Sequence, residues 1–138
     1  MKKVTFSAIS LTILSFSSLI LAGAIISSFQ GEAGYNRVEL KWIVVSEVNL
    51  KGYQVLRSLD GTTFESIAQI PAKENESGEK TYLYIDSSVF KEANRSFYYK
   101  LRFVNSDGTT SDYDKVLCLN PQISSARQTW GSIKAMFR

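Results

Sequence analysis

The sequence contains no histidine, one cysteine and only two prolines among 138 residues. Without histidine there is no imidazole to act as a general base, no Ser-His or Cys-His nucleophile pair, and few routes to a zinc site. A lone cysteine cannot form an intrachain disulfide, so any domain must be held by its core. Cys118 lies in the apolar run Val116-Leu117-Cys118-Leu119, where a free thiol packs as a small hydrophobe, so burial is expected; a bridge to another chain is the alternative. No glycine-rich phosphate loop and no calcium-loop spacing occurs, and no cofactor is expected.

Charge is scarce where a nucleic-acid partner would need it. The formal net charge is +3, but Lys2 and Lys3 stand at the N-terminus and Arg127, Lys134 and Arg138 near the C-terminus. Between them the chain is close to −2 by subtraction. The basic balance therefore belongs to the two ends, which points away from nucleic acid.

The N-terminal stretch has no charge from Val4 to Phe29. Met1-Lys2-Lys3 is a positive head, Ile13 to Leu21 an apolar centre, and Ala22-Gly23-Ala24 a small-residue site of the kind signal peptidase cuts. Residues 1–24 thus read as a signal peptide. Residues 4–29 are also long enough to span ~30 Å of hydrocarbon as an uncleaved anchor. Seven Ser and Thr residues between Thr5 and Ser18 weaken a permanent span, and Ile25 to Gln30 reads as a first strand, which favours cleavage.

Residues 25–121 show short strands divided by turn signals, with no helix-length amphipathic run. Val38, Leu40 and Trp42 alternate onto one face. Gly52 to Arg57 and Phe64 to Ile70 flank an Asp60-Gly61 hairpin, a dipeptide that tolerates positive φ. Residues 72–80 form a polar loop. Thr81 to Ile85, then Phe97 to Val104 with Phe97, Tyr99, Leu101 and Phe103 on one face, then Asp107-Gly108 and a return over Tyr113 to Leu119 complete the set. Seven such strands imply a two-sheet antiparallel sandwich.

The residues Leu40-x-Trp42, Ser46-Glu47-Val48-Asn49, Gly52-Tyr53-x-Val55-x-Arg57-Ser58-x-Asp60-Gly61-x-x-Phe64, Tyr82-x-Tyr84-x-Asp86 and Phe97-Tyr98-Tyr99-Lys100-Leu101-Arg102 resemble bacterial fibronectin type III-like domains. The resemblance covers roughly residues 26–120. It implies a seven-stranded, immunoglobulin-like all-β sandwich, with Trp42 as the core tryptophan of the second strand and Tyr99 as the tyrosine of the sixth. Such folds host many functions, so it names none. The Arg-Gly-Asp tripeptide of the animal adhesive loop is absent.

Candidates for chemistry are few. Glu39, Glu47 and Asp86 could pair as hydrolytic carboxylates, but Glu39 sits on a polar strand face and the other two match the family pattern. Asp107, Asp112 and Asp114 could hold a cation, though turn-forming acids on a solvated hairpin explain them. Tyr82 and Tyr84 share a strand face opposite Leu83 and Ile85, and would make a sugar platform only if that face were open. Asn75-Glu76-Ser77 and Asn94-Arg95-Ser96 fit the N-glycosylation pattern.

Residues 122–138 are basic, and Trp130, Ile133 and Phe137 recur at helical spacing with Met136 beside them. They could pack on the sandwich, dock on a surface apparatus or lie on an anionic membrane. The expected function is an exported, non-catalytic module for protein binding, adhesion or spacing, secreted or held at the cell surface or periplasm. Its partner is a surface protein or itself, with membrane contact only through an uncleaved leader. Adding a partner strand at an open sheet edge is its simplest recognition mode. The alternatives are a structural subunit joined through the tail, or a carbohydrate-binding module.

Overall fold

The computed structural model describes residues 22–74, 76–91 and 95–122. The leader as far as residue 21, the tail residues Trp130, Ile133, Met136 and Phe137, and the sequon residues Asn75 and Asn94 lie outside the described residues. What is described is a β-sandwich. Strands β1 (Gly23–Gly34), β2 (Arg37–Val48) and β5 (Lys80–Asp86) form one antiparallel sheet in the order β1-β2-β5. Strands β4 (Glu65–Pro71), β3 (Leu50–Ser58), β6 (Phe97–Asn105) and β7 (Thr110–Asp112) form the other in the order β4-β3-β6-β7, with β8 (Leu117–Leu119) also on β6.

Period-two alternation drives both inner faces. Val38, Leu40, Trp42 and Val44 of β2 are fully enclosed, and Tyr53, Val55, Phe97, Tyr99 and Leu101 meet them from the second sheet. Trp42 stacks on Tyr82 at 5.3 Å and 6° and meets Tyr53 edge-on at 5.6 Å. Trp42 and Tyr99 are both fully enclosed in the core.

Two asparagines turn corners that the sequence reading passed over. Asn36 and Asn49 hold φ of 57° and 49°, a region asparagine tolerates better than most residues. Asn36 closes the β1–β2 hairpin, and Asn49 lets the chain step from one sheet to the other with a single intervening residue. Gly61 and Gly108 take φ of 78° and 88° in the two expected turns.

Three boundaries differ from expectation. β1 starts at Gly23, so Ala24 is a strand residue opposite Glu47 and packs on the core. Of the expected return strand over Tyr113 to Leu119 only β8 forms, with β7 set just before it, giving eight strands among the described residues. Between β7 and β8 Tyr113 turns inward onto Phe29 and Phe103, and Lys115 Nζ donates to Phe29 O at 2.8 Å, which breaks the ladder. Lys80, expected in the polar loop, is buried at the start of β5.

Candidate interaction surface

Of the three carboxylates proposed from sequence, Glu47 and Asp86 are not brought together. Asp86 lies opposite Val38 at the start of β2, whereas Glu47 sits near its end, nine residues further along. Each belongs to the three-stranded sheet and reaches across the core to the other one. Glu47 accepts hydrogen bonds from the hydroxyls of Tyr53 at 2.7 Å and Tyr82 at 2.5 Å, and pairs with Lys80 Nζ at 2.9 Å. Its side chain is 2% exposed. Asp86 accepts from Arg57 at 2.8 Å, Tyr99 at 2.8 Å and Ser88 Oγ at 2.6 Å.

Burial by itself raises both carboxyl pKa values. At Glu47 the hydroxyls of Tyr82 and Tyr53 and the ammonium of Lys80 outweigh it, so the group stays below the ordinary carboxylate range. At Asp86, Ser88, Arg57 and Tyr99 do the same. The partner tyrosines are pushed the other way, by burial first and then by the carboxylate each one bonds. These are charged clasps between the sheets, with Glu47 accepting three hydrogen bonds and Asp86 four.

Glu39 projects from the outer face of β2, opposite Glu32 and Ile85. The hairpin acids are also engaged locally. Asp107 accepts from Thr109 N at 2.9 Å and Oγ1 at 2.6 Å, while Asp112 pairs with Arg102 at 2.5 Å and Lys100 at 2.9 Å and is lowered to about 2, chiefly by Arg102. Among the described residues, no group of three or more His, Cys, Asp or Glu side chains gathers at a metal-binding distance.

The tyrosine face of β5 points inward. Tyr82 is 3% exposed, its hydroxyl bound by Glu47, and Tyr84 is half-buried against the core. A sugar platform built on these two rings is therefore not available at the surface. Cys118 corrects a second expectation, since the thiol is exposed. Strand period is the reason: Leu117 and Leu119 pack on the core, and Cys118 between them must face out.

What β5 does offer is its other face and its free edge. It pairs with β2 on one side and forms the end of its sheet. Lys73 Nζ donates to Thr81 O at 2.9 Å, so that carbonyl faces away from β2. By the two-residue alternation of an antiparallel ladder, the N–H and C=O groups of Leu83 and Ile85 face the same open side. Both side chains are exposed on the outer face, at 54% and 44%. A lysine and a proline are common guards of such edges. Here Lys73 guards only the Thr81 end, and β5 carries no proline. Among the other edge strands, which are β1, β4, β7 and β8, β4 ends in Pro71.

On the outer face of the same sheet, Ile25 and Val45 are also exposed, at 63% and 52%, with half-buried Ile43 between Val45 and Leu83. An apolar diagonal thus crosses all three strands. The alternation of Tyr82, Leu83, Tyr84 and Ile85 is plain in the sequence. Which pair faces water was not, because all four are large and apolar enough to be core.

No family model matches the chain, and no curated protein matches it. Among solved structures, the crystal structure of beta-1,2-glucanase from Parabacteroides distasonis is similar, with a TM-score of 0.53 at 19% identity. The likeness covers 80% of this chain and 15% of that one. At that identity it speaks to the fold and not to chemistry.

Proposed function

We infer that the chain is an exported, non-catalytic binding or spacer module of the fibronectin type III kind, which recognises a protein partner by adding a strand at the β5 edge. The observation that carries this is the open main chain at Leu83 and Ile85 beside two exposed apolar side chains. Main-chain hydrogen bonds give affinity in such complexes and the flanking side chains give selectivity. The family reading is supported by Trp42 on the second strand, Tyr99 on the sixth, and the enclosed positions of both. A non-catalytic role is supported by the distance between Glu47 and Asp86 along the sheet and by the partners that surround each. The glucanase likeness spans a minor part of that enzyme, so its hydrolytic activity is not carried over.

The test is capture from surface extracts by crosslinking, with wild-type chain against Leu83→Pro. The proline removes an N–H that faces the open edge and leaves the β2 ladder intact. Specific crosslinks with the wild type that disappear with the folded variant support the reading. Equal crosslinking of both, or none with either, opposes it.

A further inference from the structure

The chain leaves the described fold at a defined place. Gln122 bridges to Tyr35, its N–H donating to Gly34 O at 3.2 Å and its carbonyl accepting from Asn36 N at 2.9 Å, with Pro121 buried just before it. Residues 123–138 therefore begin at the β1–β2 turn, at one end of the three-stranded sheet. The apolar diagonal on the outer face of that sheet starts close by. Ile85 lies opposite Glu39, three residues up β2 from Asn36, roughly 10 Å at strand rise. Ile43 lies four residues further, roughly 13 Å beyond.

The following segment matches this surface in reach and spacing. Trp130 is eight residues past Gln122, and an extended chain of that length spans up to roughly 26 Å, enough to pass beneath the sheet and reach Ile85. Trp130, Ile133 and Phe137 share one face at helical spacing over roughly 10 Å, close to the length of the Ile85–Leu83–Ile43 stretch. The segment carries Arg127, Lys134 and Arg138 with no acid, whereas residues 25–122 hold 13 acids and 11 bases. Glu32 and Glu39 stand directly opposite each other on this outer face. It is the one like-charge pair in the cross-strand registers of the described residues, and Arg37 and Lys41 flank Glu39 on the same face, so reach and apolar spacing carry the match rather than charge.

We propose that residues 123–138 dock on the outer face of the three-stranded sheet of their own chain, setting Trp130 on Ile85, Ile133 on Leu83 and Phe137 on Ile43. A short segment containing Gly131 is a poor helix alone, and this surface supplies the apolar contact that would order it. The docking also bears on the edge reading, on which only this consequence rests. Side chains of a strand added to β5 would lie against the same Leu83 and Ile85, so the docked segment acts as a built-in competitor for part of that surface.

The experiment is NMR of the full chain alone, with the indole of Trp130 as reporter. Through-space contacts from that indole to the methyl groups of Ile85 and Leu83 are expected, unchanged between high and low protein concentration. They are lost in Leu83→Glu while the Trp42 signals keep their folded positions. Leu83 is exposed, so this variant leaves the core intact. Three results overturn the proposal: a Trp130 without these contacts, contacts that survive Leu83→Glu, and contacts that fade on dilution, which would assign the surface to a second copy. No partner protein enters the measurement, so its failure leaves the edge reading standing, and failure of capture leaves this docking standing.

Discussion

Glu47 and Asp86 show how a small domain without disulfides ties its two layers together. Each carboxylate leaves water yet stays ionised, because it is met by hydroxyls and by one cation. Removing one partner of such a buried set costs more than the set itself contributes. Glu47→Gln is therefore expected to lower stability by about 3 kcal/mol, read as a shift in urea midpoint at unchanged slope. Trp42→Ala, which vacates the largest fully buried side chain of the core, should cost ~3–5 kcal/mol. The pH dependence has a definite sign. Both carboxyls titrate lower in the folded chain than in the unfolded one, so below an unfolded value near ~4 the unfolded chain binds more protons. The stabilisation is complete above that range and is lost as pH falls through it and on toward the depressed folded values. Denaturation at pH 7, 4 and 3 is expected to show this loss, with Glu47→Gln showing a shallower one. A pH-independent midpoint would contradict it.

At the level of elements, the regular strands were legible because their inner residues alternate without interruption, as in Val38-Leu40-Trp42 and Phe97-Tyr99-Leu101-Phe103. The turns built on Asp60-Gly61 and Asp107-Gly108 were legible for the same local reason. What escaped were features decided by neighbours distant in sequence. Lys80 reads as loop charge until Glu47 is seen across the sheet, Cys118 reads as core until β8 proves to be covered on one side only, and Tyr113 interrupts the last strand because Phe29 awaits it. Gly52 belongs to this group. A methyl group there would lie 2.4 Å from Ile70 O, so Gly52→Ala is expected to force β3 and β4 apart and lower stability by ~1–3 kcal/mol. Thermal unfolding checks it, and a neutral result would mean that β4 yields freely. The β5 edge makes a sharper contrast. Leu83→Pro takes away an outward N–H and should leave the melting temperature nearly unchanged, whereas Tyr84→Pro takes away a ladder bond to β2 and should unfold the sheet or lower the midpoint by several degrees.

On the scale of the whole molecule, the chain presents two sheets with unequal surfaces. The outer face of the larger sheet is crossed by the row Gln69, Gln54, Arg102 and Asp112, polar on each of the four strands β4, β3, β6 and β7. The outer face of the smaller sheet is crossed by Ile25, Val45, Ile43, Leu83 and Ile85, and it borders the edge with an unguarded stretch. Nothing in the sequence distinguished these faces, because the choice depends on which side of each strand the core takes. The enclosure of Tyr82 removes the aromatic platform, leaving the β5 side as the surface that geometry favours.

The most direct test of that surface is amide hydrogen exchange on the full chain, alone and with a partner captured from surface extracts. Strand addition predicts selective slowing at Leu83 and Ile85, whose N–H groups gain a main-chain acceptor. Slowing confined to the turn at 59–64, the turn at 106–109 or the outer face of the larger sheet, with Leu83 and Ile85 unchanged, would contradict the account.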